Sequence, residues 1–312
     1  MNILITGASG FVGSSLIDQL TRLGKYKIRV LTTGSKSNFD ESIEVFNWNV
    51  STGYIEQGAL DGVDSIIHLA GAGIADARWT QERKKLILDS RVMGTQLLLN
   101  EIKENSLKLK SFVTASAIGI YGSCGSEVLN ELSERGSGYL SDVCSKWEES
   151  LLASDLGDTR KVALRTGIVL GDGGALAKMK MPFYLGAGGR LGSGKQYMSW
   201  IHINDLCRMY IEAIENDDIE GVLNATAPTP VTNSEFTNIF GKLIKRPTFI
   251  PVPSLSLKIL FGEMSEILLE GQNVEPQKFL EKGFVFKYPD LESALKNALN
   301  IKSKLKEVWA VF

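Results

Sequence analysis

Metal-ligating and disulfide-forming side chains are scarce in this 312-residue chain, which has three cysteines and two histidines. Cys124, Cys144 and Cys207 are an odd, widely spaced set without a Cys-x-x-Cys pair, which excludes a disulfide framework. Free thiols in a reducing cytoplasm are expected instead. His68 and His202 both sit inside apolar runs, with no clustered ligands beside them, so no metal is expected. No nucleophile elbow frames a serine, which argues against a Ser-His-Asp hydrolase. Neither sign of charge dominates: 34 Lys and Arg face 36 Asp and Glu, for a net charge of -2. That balance gives no electrostatic case for nucleic acid. The basic clusters, Lys302, Lys304 and Lys306 among them, read as solvated helix faces. No apolar run reaches the ~18 residues of a membrane span. Residues 1–13 open directly into a strand and a glycine turn, so no secretory signal is read there.

What is abundant is apolar: 44% of residues are hydrophobic and 22% charged, enough to bury a substantial core. The organising stretch is Gly7-Ala8-Ser9-Gly10-Phe11-Val12-Gly13, between the apolar run 2–6 and an amphipathic segment, Ser14 to Leu23. Strand, tight turn and helix in that order aim unpaired amides and the helix dipole at an anion. Gly7 serves the turn, Gly10 the approach of a phosphate, and Gly13 close helix–strand packing. The spacing is GxxGxxG, and in this setting it predicts dinucleotide binding. The second strand, 27–31, ends in Thr32-Thr33-Gly34-Ser35-Lys36, where the adenosine ribose should lie. An acid there would suit NAD; none occurs before Asp40, so Ser35 and Lys36 favour NADP(H) over NAD(H).

Further strands are expected at 43–48, 65–70, 111–115 and 162–170, alternating with helices at about 80–105 and 141–153. One-way alternation means a doubly wound parallel sheet with helices on both faces, an α/β Rossmann fold. Leu69-Ala70-Gly71-Ala72 would let a pyrophosphate cross a strand tip, and His68 reads as a core histidine. From Gly171 the character changes. Gly189 to Lys195 nearly fits a nucleotide-triphosphate loop, but Gln196 stands where Ser or Thr is needed and a strand, 197–201, follows. A loop over the site is the better reading. A helix is expected over 204–215, and Thr232 to Glu235 is a capping box opening another. The last sixty residues read as helices. The division expected is a Rossmann domain over 1–170, with about 196–226 returning to it. Residues 171–312 form mainly a smaller C-terminal α/β substrate cap and a helical region.

The glycine turn, the serine-bearing end of the fifth strand and the C-terminal cap resemble the extended short-chain dehydrogenase/reductases, the sugar-nucleotide epimerase group. That group uses Ser or Thr with Tyr-x-x-x-Lys, the lysine lowering the tyrosine pKa as hydride moves to or from nicotinamide. None of the eight tyrosines here has lysine four residues later. Tyr139 and Lys146 fall on the corresponding segment but seven apart. The chain is similar to one atypical subgroup, NAD-dependent epimerase/dehydratase-like, on Ala77-Arg78-Trp79-Thr80, Ser90-Arg91, Ser116 to Gly122, Trp147-Glu148, Arg165 to Leu170 and Ser199 to Ile203. Gly271 to Pro276 and Gly283-Phe284 match its small C-terminal region of unknown function. The resemblance covers nearly the whole chain. It implies a Rossmann fold binding NAD(P), NADPH favoured, with the reaction open. That subgroup often ends its second strand in arginine; Thr33 stands there instead, leaving Ser35 or Lys36 to substitute.

The cofactor set is Gly7, Ser9, Gly10, Phe11, Val12, Gly13, Thr33, Ser35, Lys36, Leu69, Ala70, Gly71, Ala72 and Arg91. Ser116 resembles the serine that holds a substrate carbonyl, with Tyr121 and Lys146 as the other catalytic candidates. Trp79, Arg83, Arg165, Trp200 and His202 are the substrate candidates; Arg83, Lys84 and Arg91 on one helix suit an anion. Two functions are carried. One is an oxidoreductase or epimerase, monomer or homodimer, acting on a small polar substrate without the usual relay. The other is a non-catalytic NADP(H)-binding regulator or scaffold.

Overall fold

The computed structural model describes residues 1–36 and 39–301. The basic cluster at Lys302, Lys304 and Lys306 and the residues after it lie outside that range. The first half contains β1 (Asn2–Thr6), α1 (Phe11–Leu23), β2 (Lys27–Thr32), β3 (Glu44–Asn49), β4 (Tyr54–Ile55), β5 (Ser65–His68), α2 (Gln81–Glu104), β6 (Ser111–Ala117), β7 (Val128–Leu129) and α3 (Tyr139–Leu152). Then come β8 (Arg160–Thr166), β9 (Ile168–Leu170), α4 (Gly174–Tyr184), β10 (Tyr197–Met198), β11 (Trp200–His202), α5 (Ile203–Glu215), β12 (Gly221–Ala225), β13 (Val231–Thr232) and α6 (Asn233–Ile244). The C-terminal region holds α7 (Ser254–Phe261), α8 (Glu266–Leu269), β14 (Asn273–Val274), α9 (Gln277–Glu281) and α10 (Leu291–Ala298).

The main sheet runs β12-β8-β6-β5-β1-β2-β3-β4, parallel except for the β3–β4 pair. This is the expected doubly wound sheet. Period-two alternation sorts its side chains: Ile3, Ile5, Ile67 and Val113 face one core with α1 and α5, while Leu4, Ile66 and Phe112 face another with α2. The strand order reverses between β1 and β5, and the chain leaves that point in opposite directions. In such sheets the crevice beyond the strand ends at this switch is where ligands bind.

Several boundaries moved. α1 starts at Phe11, three residues earlier than its apolar pattern, because Gly10 caps it directly. The run 162–170 is two strands: β8 joins the main sheet and β9 leaves it to pair with β11. The break falls at Gly167, where a Cβ would stand 2.5 Å from the Ser199 carbonyl oxygen. The run 197–201 divides at Ser199, whose hydroxyl bonds the Gln272 carbonyl while accepting the Val274 amide. The capping box at Thr232 and Glu235 forms as expected, and Thr80 caps α2 by accepting the Arg83 amide. No described helix is long and apolar enough to cross a membrane.

His68 and His202 are both buried, and burial pushes each pKa down to about 4. The unfolded chain takes these protons near pH 6.5, while the folded chain refuses them until about 4. Stability is therefore complete above pH 6.5 and lost as pH falls toward 4, by about 1 kcal/mol per pH unit for each histidine. Urea-unfolding midpoints between pH 7 and 4.5 should show this slope, and His68→Gln should reduce it by about half; an unchanged slope would place the acid sensitivity elsewhere.

Candidate functional site

At the switch point, β1 delivers Gly7 with φ +69, a conformation that suits glycine. A Cβ there would lie 2.7 Å from the Ala70 nitrogen. At Gly13 a Cβ would collide with the Gly7 carbonyl and stand 2.7 Å from the Ala8 Cα. The turn closes through a 3.0 Å bond from the Gly10 amide to the Gly7 carbonyl. Gly10 and Ser9 are exposed; Phe11 and Val12 are half-buried. Among the described residues nothing accepts from the amides of Phe11, Val12 or Gly13, and no acid occupies the first turn of α1. Three outward amides beneath a positive helix end form an anion cradle, which fits the pyrophosphate of a dinucleotide.

The neighbouring strand tips complete the crevice. The Thr6 hydroxyl shares a hydrogen bond of 2.6 Å with His68 Nδ1 and accepts the Ala70 amide at 3.2 Å. This clamps the end of β5 to the end of β1 and sets Leu69 and Ala70 beside Gly7. Beyond them the Ala72 amide donates to Ser90 Oγ, and Gly71 lies under Arg91. Arg91 is half-buried: it donates to the carbonyls of Ala72 and Ile87 and lies over the Trp147 ring at 4.9 Å. At the tip of β2, Thr33, Ser35 and Lys36 are exposed. Lys36 pairs with Glu56 at 2.7 Å and is the chief reason that carboxyl sits below its usual range.

Behind the tip of β6 lies a buried polar chain. Ser116 Oγ donates to Glu148 at 2.6 Å. Arg165 grips the same carboxylate with Nε at 2.9 Å and Nη2 at 2.8 Å, and its Nη1 donates to the Tyr121 hydroxyl at 3.0 Å. That hydroxyl lies 2.7 Å from Asn224 Oδ1 and 2.9 Å from the Asn130 carbonyl. Burial raises the Tyr121 pKa, against the pull of Arg165. Asn224 continues the chain to the Glu275 carbonyl, and Glu131 accepts the Asn224 amide. Cys144, one turn before Glu148, has its thiol pushed up to about 12 by burial and then by Glu148, so it is unreactive.

The structure thus gathers Ser116, Tyr121 and Arg165 around Glu148 and keeps other candidates apart. Arg165, expected to meet an anionic substrate, is already neutralised by a bidentate carboxylate. Tyr121, considered as a proton donor, is 1% exposed with its hydroxyl engaged. Lys146 lies exposed on α3. Trp200 is fully buried and donates to the Thr229 carbonyl, so it offers a substrate no surface. His202 accepts the Asn204 amide as the cap of α5 and stacks on Tyr288 at 3.9 Å between ring centres. Trp79 packs on Tyr139 at 4.9 Å, and Arg83 reaches the Gly73 carbonyl, both beside the β5 tip. The Arg91–Trp147 stack and the roles of Asn224 and Glu131 have no sequence signal, since their partners are remote. For Glu148 the signal is its place beside Trp147, which points to burial, and it is buried.

The family model described as "NAD dependent epimerase/dehydratase family" matches residues 3–225, and one described as "Domain of unknown function (DUF1731)" matches 252–298. The "Epimerase family protein SDR39U1 homolog, chloroplastic" of Arabidopsis thaliana is 38% identical, over 95% of this chain and 86% of its own length. The crystal structure of human epimerase family protein SDR39U1 (isoform2) with NADPH superposes with a TM-score of 0.86 at 33% identity, covering 97% of this chain and 100% of that one. The nucleoside-diphosphate sugar epimerase of Corynebacterium glutamicum gives 0.77 at 31% identity, covering 96% and 58%.

The Arg165–Glu148 pair is buried on both sides. Removing one partner leaves the other charge uncompensated, so Arg165→Ala should cost about 3–5 kcal/mol of stability, and the double variant Arg165→Met, Glu148→Leu distinctly less. Chemical denaturation checks this; a double variant as unstable as the single one would contradict it.

Proposed function

The chain belongs to the NAD dependent epimerase/dehydratase family, and on that premise we propose an NADP(H)-dependent oxidoreductase or epimerase acting on a small polar substrate without a Tyr-x-x-x-Lys relay. The observation that carries the cofactor is the row of three unclaimed amides at Phe11, Val12 and Gly13, beside a turn too tight for a Cβ at Gly7 or Gly13. The preference for the phosphorylated cofactor rests on the tip of β2. No acid stands between Thr32 and Lys36 to hold a ribose diol, and the exposed Lys36 can exchange Glu56 for a phosphate. The human relative's crystal structure, with NADPH, supports the same choice.

NADP(H), when bound, supplies hydride chemistry at its nicotinamide. The chain's own residues then orient and bind. The Ser116 hydroxyl donates to Glu148, the carboxyl partner of Arg165, so its remaining oxygen lone pairs accept rather than donate. That suits a substrate hydroxyl more than a carbonyl. Tyr121 holds Arg165 in register, and Lys146 is the catalytic candidate with an exposed ammonium. We assign the protein to a reducing compartment, the cytoplasm, as a monomer or homodimer; the described cysteines form no disulfide. The second reading, a non-catalytic NADP(H)-binding regulator or scaffold, is favoured by the closed Tyr121 hydroxyl. Turnover of a carbonyl library with NADPH and of an alcohol library with NADP⁺ separates the two: tight cofactor binding with no turnover of any substrate selects the regulator.

Two substitutions check the cofactor assignment. Gly10 has φ -74 and room for a side chain, with only the Gly7 carbonyl 3.2 Å from a Cβ. Gly10→Asp should therefore fold, yet lose NADPH binding by at least about a hundredfold, since its carboxylate meets the pyrophosphate. Unchanged affinity would refute the placement. Lys36→Glu should weaken NADPH by about tenfold or more while leaving NADH within about twofold; equal losses by titration calorimetry would remove Lys36 from the site.

A further inference from the structure

α2 carries Arg83 and Arg91 eight residues apart, a little over two turns, and both guanidinium groups reach the β5 tip. Arg83 donates to the Gly73 carbonyl and Arg91 to the Ala72 carbonyl. Among the described residues no carboxylate pairs with Arg91, although its guanidinium is largely buried and burial lowers its pKa. Arg83 adds to that lowering, so the two cations feel each other. The Arg83 Nε is buried with no partner. Its one acid, Asp76, is 3.6 Å away, half-exposed and shared with Lys178 at 3.1 Å. An aromatic wall holds Arg91 in place, with Trp147 under it, while Trp79 packs on Tyr139, whose hydroxyl donates to the Lys84 carbonyl. Lys84 is itself neutralised by Glu263. The result is a partly desolvated pair of guanidinium forks lacking the buried counter-charge that such groups require.

We propose that Arg83 and Arg91 form a subsite for an oxyanion, a carboxylate or phosphate carried by the substrate. This names the substrate class of the function proposed above and rests on the adjoining crevice holding the dinucleotide. Planar guanidinium groups suit an oxyanion because each offers two parallel donors. Arg83 Nε is the unclaimed donor, and Arg91 supplies fixed charge from behind. The pair stands against Gly71 to Gly73, just past the Leu69–Ala70 contact with Gly7. The cofactor's own phosphates are the other source of the same chemistry, and the test separates them.

Malonate and inorganic phosphate are titrated calorimetrically into the NADPH-saturated protein, its Arg83→Gln, Arg83→Lys and Arg91→Gln variants, and Lys178→Gln as a surface control. The expected result is saturable binding to the wild type. It should fall at least tenfold in both glutamine variants, less in Arg83→Lys, and stay unchanged in Lys178→Gln, with NADPH affinity moving less than twofold in the Arg83 variants. Absence of saturable binding to the wild type, or binding that survives both glutamine substitutions, overturns the subsite. NADPH affinity falling in step with anion affinity also overturns it, by giving the pair to the cofactor. If the wild type binds no NADPH while malonate binding to the free protein still depends on Arg83, the cofactor reading fails and the subsite stands. Should Arg91→Gln not fold, the two Arg83 variants decide alone.

Discussion

Everything at the crevice depends on how closely three backbone segments approach one another at Gly7. The β1 turn, the start of α1 and the tip of β5 meet there with no side chain between them. The Thr6 hydroxyl then ties β5 to β1 through His68 and the Ala70 amide. Because α1 cannot retreat from the turn, its first amides stay unpaired and aimed into the gap. Because β5 cannot retreat, Gly71 to Gly73 stand close enough for Arg83 and Arg91 to reach. The anion cradle and the arginine pair are thus two consequences of one packing constraint.

A second constraint ties the C-terminal region to the sheet. Glu148 and Arg165 are a buried pair whose geometry satisfies both carboxylate oxygens. Such a pair is a weak source of stability compared with apolar packing, but it is demanding about position. Tyr121 and Asn224 extend that demand to Glu275. β14 pairs with β7, Ser199 bridges Gln272 and Val274, and Gln272 reaches the Gly122 carbonyl. Residues 272–275 therefore close over the loop that holds Tyr121. The region matched as a domain of unknown function acts structurally as a brace behind β6.

How much of this was legible in the sequence follows from the range of each interaction. The glycine turn was legible because its causes lie within seven residues: turn, cap and dipole are local. The parallel sheet was legible from alternation alone. The splitting of 162–170 was not, since β9 turns away to meet β11, and Ser199 lies more than thirty residues on. Arg165 and Tyr121 read as free functional groups because their partners lie 17 and 103 residues away. A polar side chain at a strand tip looks the same in sequence whether it faces a ligand or a buried carboxylate. Lys36 remained readable as a surface group because its neighbourhood is solvent.

The missing tyrosine–lysine relay also has a physical account in α3. Residues four apart share a helix face, so the partner of Tyr139 in such a relay would be residue 143. Val143 is 3% exposed and packs in one apolar cluster with Trp79 and Ile87. An ammonium at that position would be buried without a counter-charge, which costs several kcal/mol. Tyr139 matches this environment: burial raises its pKa more than Arg91 and Arg83 lower it, and its proton is given to the Lys84 carbonyl. The inward face of α3 is therefore built for packing, with Trp147 taking the cation of Arg91 on its ring. Positive charge reaches the crevice from α2 instead of from α3. A chain that moves its fixed cation in this way gives up a tyrosinate and gains a place to hold an anion, which changes what the crevice can recognise while leaving the dinucleotide cradle intact.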